Sequence, residues 1–225
     1  MMTIKNLSKT YGSKTVLENI NLTFERGKVY GIVGANGAGK TTLFKCISHL
    51  TDYLGTIDSE VEDFRNQIGY LVTSPYTLDR ISGKEYLQLF ALSREDSSKQ
   101  IQESNLFNLP LDQYISTYST GMLKKLALQA VLLQKNEIII LDEPFNGVDI
   151  QSNMVIIEII KTLKEKGKLI LIASHIFETL DKLCDKIYLL ENHRIANSFE
   201  KAEFSILEKK LYSYIVKEDI KAYDF

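Results

Sequence analysis

The stretch that most limits what this chain can fold into is Gly34-Ala35-Asn36-Gly37-Ala38-Gly39-Lys40-Thr41. It fits the pattern G-x-x-x-x-G-K-[ST] of a phosphate-binding loop. The flanks are those such a loop needs. Val29-Tyr30-Gly31-Ile32-Val33 precedes it, short and almost wholly apolar, as in a strand covered on both faces. Leu43, Phe44, Ile47 and Leu50 follow at helical spacing. Glycines let backbone N–H groups turn inward around phosphate oxygens. A helix starting near Lys40 adds its positive dipole end. Lys40 can reach terminal phosphates as a point charge, and the Thr41 hydroxyl can ligate Mg²⁺. A glycine-rich turn without a ligand is the plain alternative, and the lysine, the threonine and both flanks weigh against it. The expected nucleotide-holding set is Gly34, Ala35, Asn36, Gly37, Ala38, Gly39, Lys40, Thr41 and Thr42.

A second feature complements the first. Ile138-Ile139-Ile140-Leu141 is a fully apolar run that leads straight into Asp142-Glu143. A buried strand ending in two acids sets carboxylates at the sheet edge, where ligands bind in open α/β folds. Asp142 is the natural Mg²⁺ partner, and Glu143 is placed to orient or deprotonate an attacking water. A helix N-cap would explain such a pair equally well in isolation. About a hundred residues after a phosphate loop, the pair points to a hydrolytic site. His175 follows the next apolar run, Leu169 to Ala173, which sets it on the same edge. A contact to a terminal phosphate or to water is expected of it.

The rest of the pattern predicts an α/β fold with a mainly parallel sheet and helices on both faces. Ile20, Leu22 and Phe24 alternate with Asn21 and Thr23, which predicts a half-buried antiparallel strand in an N-terminal β subdomain. From about 74 to 135 there is no strand run. Helices are predicted over 85–92, 99–107 and 120–134, with the polar residues 93–98 breaking the first two apart. Ile150, Met154, Ile157, Ile160 and Leu163 predict the buried face of another helix, and Gly167 stands at its C-cap. Residues 186–190 and 194–198 predict a late hairpin, and the last twenty or so a weak helix and tail. The expected division is a nucleotide-binding core, 1–72 and 136–225, and an inserted helical subdomain, 73–135.

Composition narrows the function. In 225 residues, 44% are apolar and 25% charged, enough for a self-sufficient core. The net charge of -2 lacks the basic surplus that phosphate neutralisation demands of a DNA-holding domain, so no nucleic-acid partner is expected. Cys46 and Cys184 form no CxxC or metal spacing and are expected as buried, reduced thiols. The N-terminus lacks a signal-peptide core, and no uncharged apolar run nears the ~20 residues a membrane span needs. Any membrane role is therefore expected to be peripheral.

These residues together resemble the nucleotide-binding subunit of ABC transporters, and the resemblance covers nearly the whole chain. Tyr118-Ser119-Thr120-Gly121-Met122 stands where that family has its Leu-Ser-Gly-Gly-Gln signature, between the two Walker motifs and opening a helix. Tyr11 looks like the aromatic that stacks on adenine, Asn146-Gly147-Val148-Asp149 like the D-loop, and His175 like the switch histidine. Two departures stand out. Thr73, after Ile68-Gly69-Tyr70-Leu71-Val72, occupies the place of a glutamine that senses the γ-phosphate. The Tyr-Ser-x-Gly-Met signature looks like that of exporters whose membrane subunit is a separate chain.

The resemblance implies an ATPase using ATP and Mg²⁺, with Glu143 and His175 catalytic and Thr41 and Asp142 at the metal. It implies a head-to-tail dimer, with itself or a related ATPase subunit. Each ATP would lie between the phosphate loop of one subunit and Ser119 and Gly121 of the other. The implied partner is an integral membrane permease, docking near Ser74, Pro75, Tyr76 and Leu78. The implied location is cytoplasmic, peripheral on the inner face of the cell membrane. The rival reading is a soluble ABC-type ATPase acting on nucleic acid or ribosomes. It would need a long coiled-coil insertion or a second nucleotide site, and the chain has neither.

Overall fold

The computed structural model describes residues 1–76, 78, 80–92 and 105–220, the last eight of these by their backbone alone. Its elements run in the order β1 (Met2–Tyr11), β2 (Lys14–Phe24), β3 (Val29–Val33), α1 (Lys40–Ile47), β4 (Leu54–Ser59), β5 (Ile68–Leu71), α2 (Gly83–Ala91), α3 (Thr120–Leu133), β6 (Ile138–Asp142), α4 (Ile150–Glu165), β7 (Leu169–Ala173), α5 (Phe177–Leu183), β8 (Lys186–Glu191), β9 (Arg194–Glu200) and α6 (Phe204–Ile220).

Two sheets result. The antiparallel one has the order β2-β1-β4, with Ile20, Leu22 and Phe24 buried between exposed Asn21 and Thr23. The larger has the order β5-β6-β7-β3-β8-β9. Its first five strands are parallel, and β9 closes the edge as the expected antiparallel hairpin partner of β8. Asn192 and His193 turn that hairpin at φ 48° and 67°, the left-handed pair of a type I′ turn. Strands β3, β6 and β7 are buried at every position, as strands covered on both faces must be.

One apolar cluster fills the space between the two sheets, around Phe24, Tyr30, Leu43, Phe44 and Ile140. A second packs α4, α5 and α6 on the other face of the large sheet, around Ile156, Ile160, Ile170, Ile172 and Leu180. The helical stretch has a third of its own, around Leu87, Leu109, Ile115, Leu126 and Ala130. Helix α3 is the wall shared by the second and third, giving Ala127, Leu128 and Val131 to one and Leu126, Ala130 and Leu133 to the other.

Three expectations need correction or fall outside. Leu50 is not on the first helix: α1 ends at Ile47, His49 turns the chain at φ 54°, and Leu50 is exposed. Helix α4 buries Ile156 and Ile160, with Ile157 and Leu163 packed beside them, whereas Ile150 and Met154 face solvent. Apolar residues lie almost all round this helix, so a stripe traced by spacing had no unique direction. The helix expected over 99–107 and the break over 93–98 lie mostly outside the described residues, and 105–107 form a turn. Gly167 closes α4 in a Schellman motif, its N–H donating to Lys164 O and that of Lys168 to Leu163 O. Cys46 and Cys184 are buried free thiols. Among the described residues no helix is long and apolar enough to cross a membrane.

Candidate nucleotide site

Parallel strands put all their carboxyl ends on one edge, and here that edge collects the chemistry. The loop after β3 leads into α1, Thr73 follows β5, Asp142 ends β6 with Glu143 next to it, and Ser174-His175 follows β7. A cleft of about 280 Å³ opens there, lined by Val16, Asn36, Gly37, Gly39, Lys40, Thr41, Thr42, Thr73, Asp142, Glu143 and His175. That is slightly below the usual range of small-ligand sites, ~300–1,000 Å³, as for one wall of a larger site.

The loop is shaped by its own backbone. Gly39 caps α1 at φ 111°, with Val16 O 3.0 Å from where a Cβ would sit, so any side chain would be both strained and crowded. Lys40 is buried, and its Nζ donates to the carbonyls of Gly34 at 2.8 Å and Ala35 at 3.1 Å. Burial pulls its pKa down, and the charges of Glu143 and Asp142 push it back up. Gly34, Ala35 and Ala38 do not line the cleft; the first two contribute carbonyls to Lys40, and Ala38 packs on the core.

The carboxylates are held by several elements. Thr41 Oγ1 donates to Asp142 Oδ2 at 2.7 Å, and the Tyr70 hydroxyl donates to the same oxygen at 3.4 Å. Burial, with the Asp142 charge, holds the Tyr70 hydroxyl well above its ordinary range. Glu143 stands at φ 55°, a left-handed backbone that non-glycine residues seldom adopt. Its N–H donates to Ala173 O at 2.9 Å, and its own carbonyl accepts from Lys124 Nζ at 2.9 Å. Its carboxylate accepts the His175 N–H at 3.3 Å through Oε2. His175 Nε2 stands 3.1 Å from Oε1, an ionic approach without hydrogen-bond alignment, which leaves Oε1 buried with no donor. Burial raises the Glu143 pKa, and the neighbouring His175 and Lys40 offset part of that rise.

Three expected residues lie away from the cleft. Tyr11 is at the exposed end of β1, on the hairpin that carries Val16, with Lys9 Nζ 4.6 Å from its ring centre. Ser119 is the exposed N-cap of α3, its Oγ accepting the Met122 N–H at 3.2 Å. Gly121 sits on that helix where an added Cβ would lie 2.3 Å from Gly147 O, which packs the signature segment on the loop after Glu143. Asp149 caps α4 through the Ser152 N–H at 2.9 Å and accepts from Lys125 Nζ at 3.0 Å. Those bonds hold its carboxyl well below the usual range.

Sequence reading missed Val16, Tyr70 and Lys124. Val16 gave no signal. Tyr70 lies in an apolar run whose alternation hid its hydroxyl. Lys124 did signal: it shares a stripe with Ala127, Leu128 and Val131, where a charge is out of place.

Such a fold and edge define a phosphate-loop nucleotide-binding protein, and comparison with known proteins narrows the class. The ABC transporter family profile matches residues 17–146. The bacitracin transport ATP-binding protein BcrA of Enterococcus faecalis is 32% identical, over 98% of this chain and 79% of its own. The ABC transporter ATP-binding protein NatA of Bacillus subtilis is also 32% identical, over 87% of each chain. A solved structure of the ATP-binding subunit of an ABC transporter superposes with TM-score 0.82 at 26% identity, covering 96% of this chain and 99% of that one. The chain therefore belongs to the ABC transporter family, as an ATP-binding, ATP-hydrolysing subunit.

Proposed function

We propose that the cleft holds the triphosphate of ATP with Mg²⁺, and that two chains close head to tail around two nucleotides to drive a separate membrane permease. One observation carries the reading: a single sheet edge joins the phosphate loop to Glu143, whose buried Oε1 has no donor. An unpaired buried carboxylate oxygen is costly, and an attacking water would satisfy it.

Thr41 and Asp142 fit Mg²⁺, since both offer hard oxygens and already lie within a hydrogen bond of each other. Among the described residues no three acidic, His or Cys side chains are placed to hold a metal ion by themselves, so the phosphates would complete such a shell. Bound there, the ion would neutralise charge on the phosphate oxygens. Lys40 would leave the Gly34 and Ala35 carbonyls for the terminal phosphates, while the Asn36 to Thr42 backbone and the α1 N-terminus cradle them. Glu143 would orient the water and take its proton, and His175 would steady the carboxylate and reach the γ-phosphate. Tyr11 would stack on adenine.

The open cleft supports a second wall from another subunit, where Ser119 stands exposed at a helix N-terminus and Gly121 lies buried against Gly147 in the same turn. Closure would exclude water and complete the site. The helical stretch 73–135 would act as a subdomain, and the exposed Tyr76 and Leu78, beside Ser74 and Pro75, would meet the permease at the inner face of the membrane. Export is supported by the Tyr-Ser-x-Gly-Met signature and by a relative that transports bacitracin.

The test is Glu143→Gln, which keeps shape and removes the base. With ATP it should elute from gel filtration as a dimer and turn over slowly. A variant that hydrolyses ATP at the wild-type rate would refute the assignment of Glu143.

A further inference from the structure

Lys124 has no role in the reading above, yet it is 4% exposed and carries a charge into the protein. Its Nζ donates to two backbone carbonyls, Thr73 O at 2.5 Å and Glu143 O at 2.9 Å. Among the described residues it makes no ion pair. Burying an ammonium without a carboxylate partner costs stability, and apolar residues on the same stripe would pack without that cost. Its two acceptors belong to the loop after β5 and the residue after β6, whose side chains line one cleft.

We infer that Lys124 is a positioning residue for ATP hydrolysis, clamping Glu143 and the Thr73 loop in one geometry. The inference rests on the proposed water-orienting role of Glu143. The argument is geometric. Glu143 holds a left-handed backbone, and hydrogen bonds fix it from opposite sides. Ala173 O holds the N–H, which restrains φ, and Lys124 at 2.9 Å, with the Asn146 N–H at 3.3 Å, holds the carbonyl, which restrains ψ. With both dihedrals restrained, the Cα–Cβ bond is aimed at the cleft, where the carboxylate meets His175. The second bond makes Thr73 share that restraint. Since Lys124 rides on α3, one turn beyond Ser119, a shift of the signature helix would move the water-orienting carboxylate and the Thr73 loop together. A carboxamide offers two N–H groups fixed in one plane; an ammonium has three that rotate freely, and its charge attracts both carbonyl dipoles.

The test compares Lys124→Met, Lys124→Gln and Lys124→Arg with wild type in the full chain. Readouts are ATP turnover, KM, binding of a fluorescent ATP analogue and melting temperature. A positioning role predicts that Lys124→Met lowers kcat about tenfold or more while KM and analogue binding change by no more than about twofold. Lys124→Arg should recover part of kcat, and Lys124→Gln should fall between. Lys124→Gln keeps a donor without a buried charge, so the comparison survives if the methionine variant does not fold. Wild-type kcat in Lys124→Met or Lys124→Gln would overturn the inference. So would kcat, KM and melting temperature worsening together with no recovery in Lys124→Arg, the pattern of a filler. Glu143→Gln is measured alongside. If it is inactive while Lys124→Met is fully active, the Lys124 role alone fails. If Glu143→Gln turns over normally, the reading of Glu143 fails and the positioning role falls with it.

Discussion

Replacing Gly121 with alanine separates two physical effects of opposite sign. Gly121 lies in the first turn of α3. Helix propensity alone favours alanine over glycine by at most ~1 kcal/mol. Packing opposes it, because the new Cβ would lie 2.3 Å from Gly147 O, and real Cβ atoms essentially never come within 3.0 Å. Backbone on one side or the other must move by roughly 0.7 Å, since neither atom is the end of a flexible side chain. Overpacking of this kind costs about 1–3 kcal/mol. The clash should win, leaving Gly121→Ala less stable by about 1–2 kcal/mol, or roughly 2–8 °C in Tm for a chain of this size. The loop that yields is the one between Glu143 and Asp149, so turnover should fall more than ATP binding. Thermal melts with and without ATP, run beside steady-state hydrolysis, measure both. A variant that melts at or above wild type and hydrolyses ATP normally would show that α3 does not pack tightly on Gly147.

Lys40→Ala should abolish hydrolysis and weaken ATP binding strongly; near-normal turnover would refute the phosphate-loop role. Thr73→Gln should raise basal turnover by roughly tenfold or less, and Thr73→Val should lower it, because threonine, the shorter side chain, would reach the phosphate or metal through a bridging water. Equal rates in all three would make Thr73 a spacer. Asp149→Ala removes the α4 cap bond to the Ser152 N–H and the Lys125 pair together, and should cost about 1 kcal/mol, some 2–4 °C in Tm. An unchanged melt would mean that water caps the helix equally well.

Short, wholly apolar strands were legible because burial on both faces leaves no polar position, as in β3, β6 and β7. The loop from Gly34 to Thr41 and the acids after Leu141 were legible because phosphate and metal chemistry admits few residue types there. Direction on a helix was not. Helix α4 reads as apolar nearly all round, and only the sheet beneath decides that Ile156 and Ile160 turn inward while Ile150 and Met154 do not. Long-range polar contacts were invisible for a related reason. Nothing local says that Tyr70 and Asp142, or Lys124 and Thr73, come within hydrogen-bond reach, since strand order brings the first pair together and the packing of α3 on β5 the second. Residue type signals that a site exists, and topology decides which neighbours tune it.

The buried carboxylate of Glu143 ties function to stability in a way that pH should reveal. Burial raises its pKa above the ordinary glutamate range, against partial offsets from His175 and Lys40. The folded chain therefore holds this proton more tightly than the unfolded chain does. Stability falls as pH rises wherever the folded state binds more protons. The contribution is thus fully present below the ordinary glutamate range and is lost as pH climbs through the raised folded value. Above that value the ionised group is a standing cost, which the backbone N–H of His175 reduces but does not cancel. Glutamine keeps the shape and cannot ionise, so Glu143→Gln escapes the cost. Without nucleotide it should melt higher than wild type at about pH 8, and the gap should narrow toward about pH 4, where glutamate is largely protonated. Equal melts at about pH 8, or a gap that grows toward acid, would mean that the site solvates this carboxylate well. In that case burial is not what sets its proton affinity, and the acid limb of hydrolysis should lie in the ordinary carboxylate range.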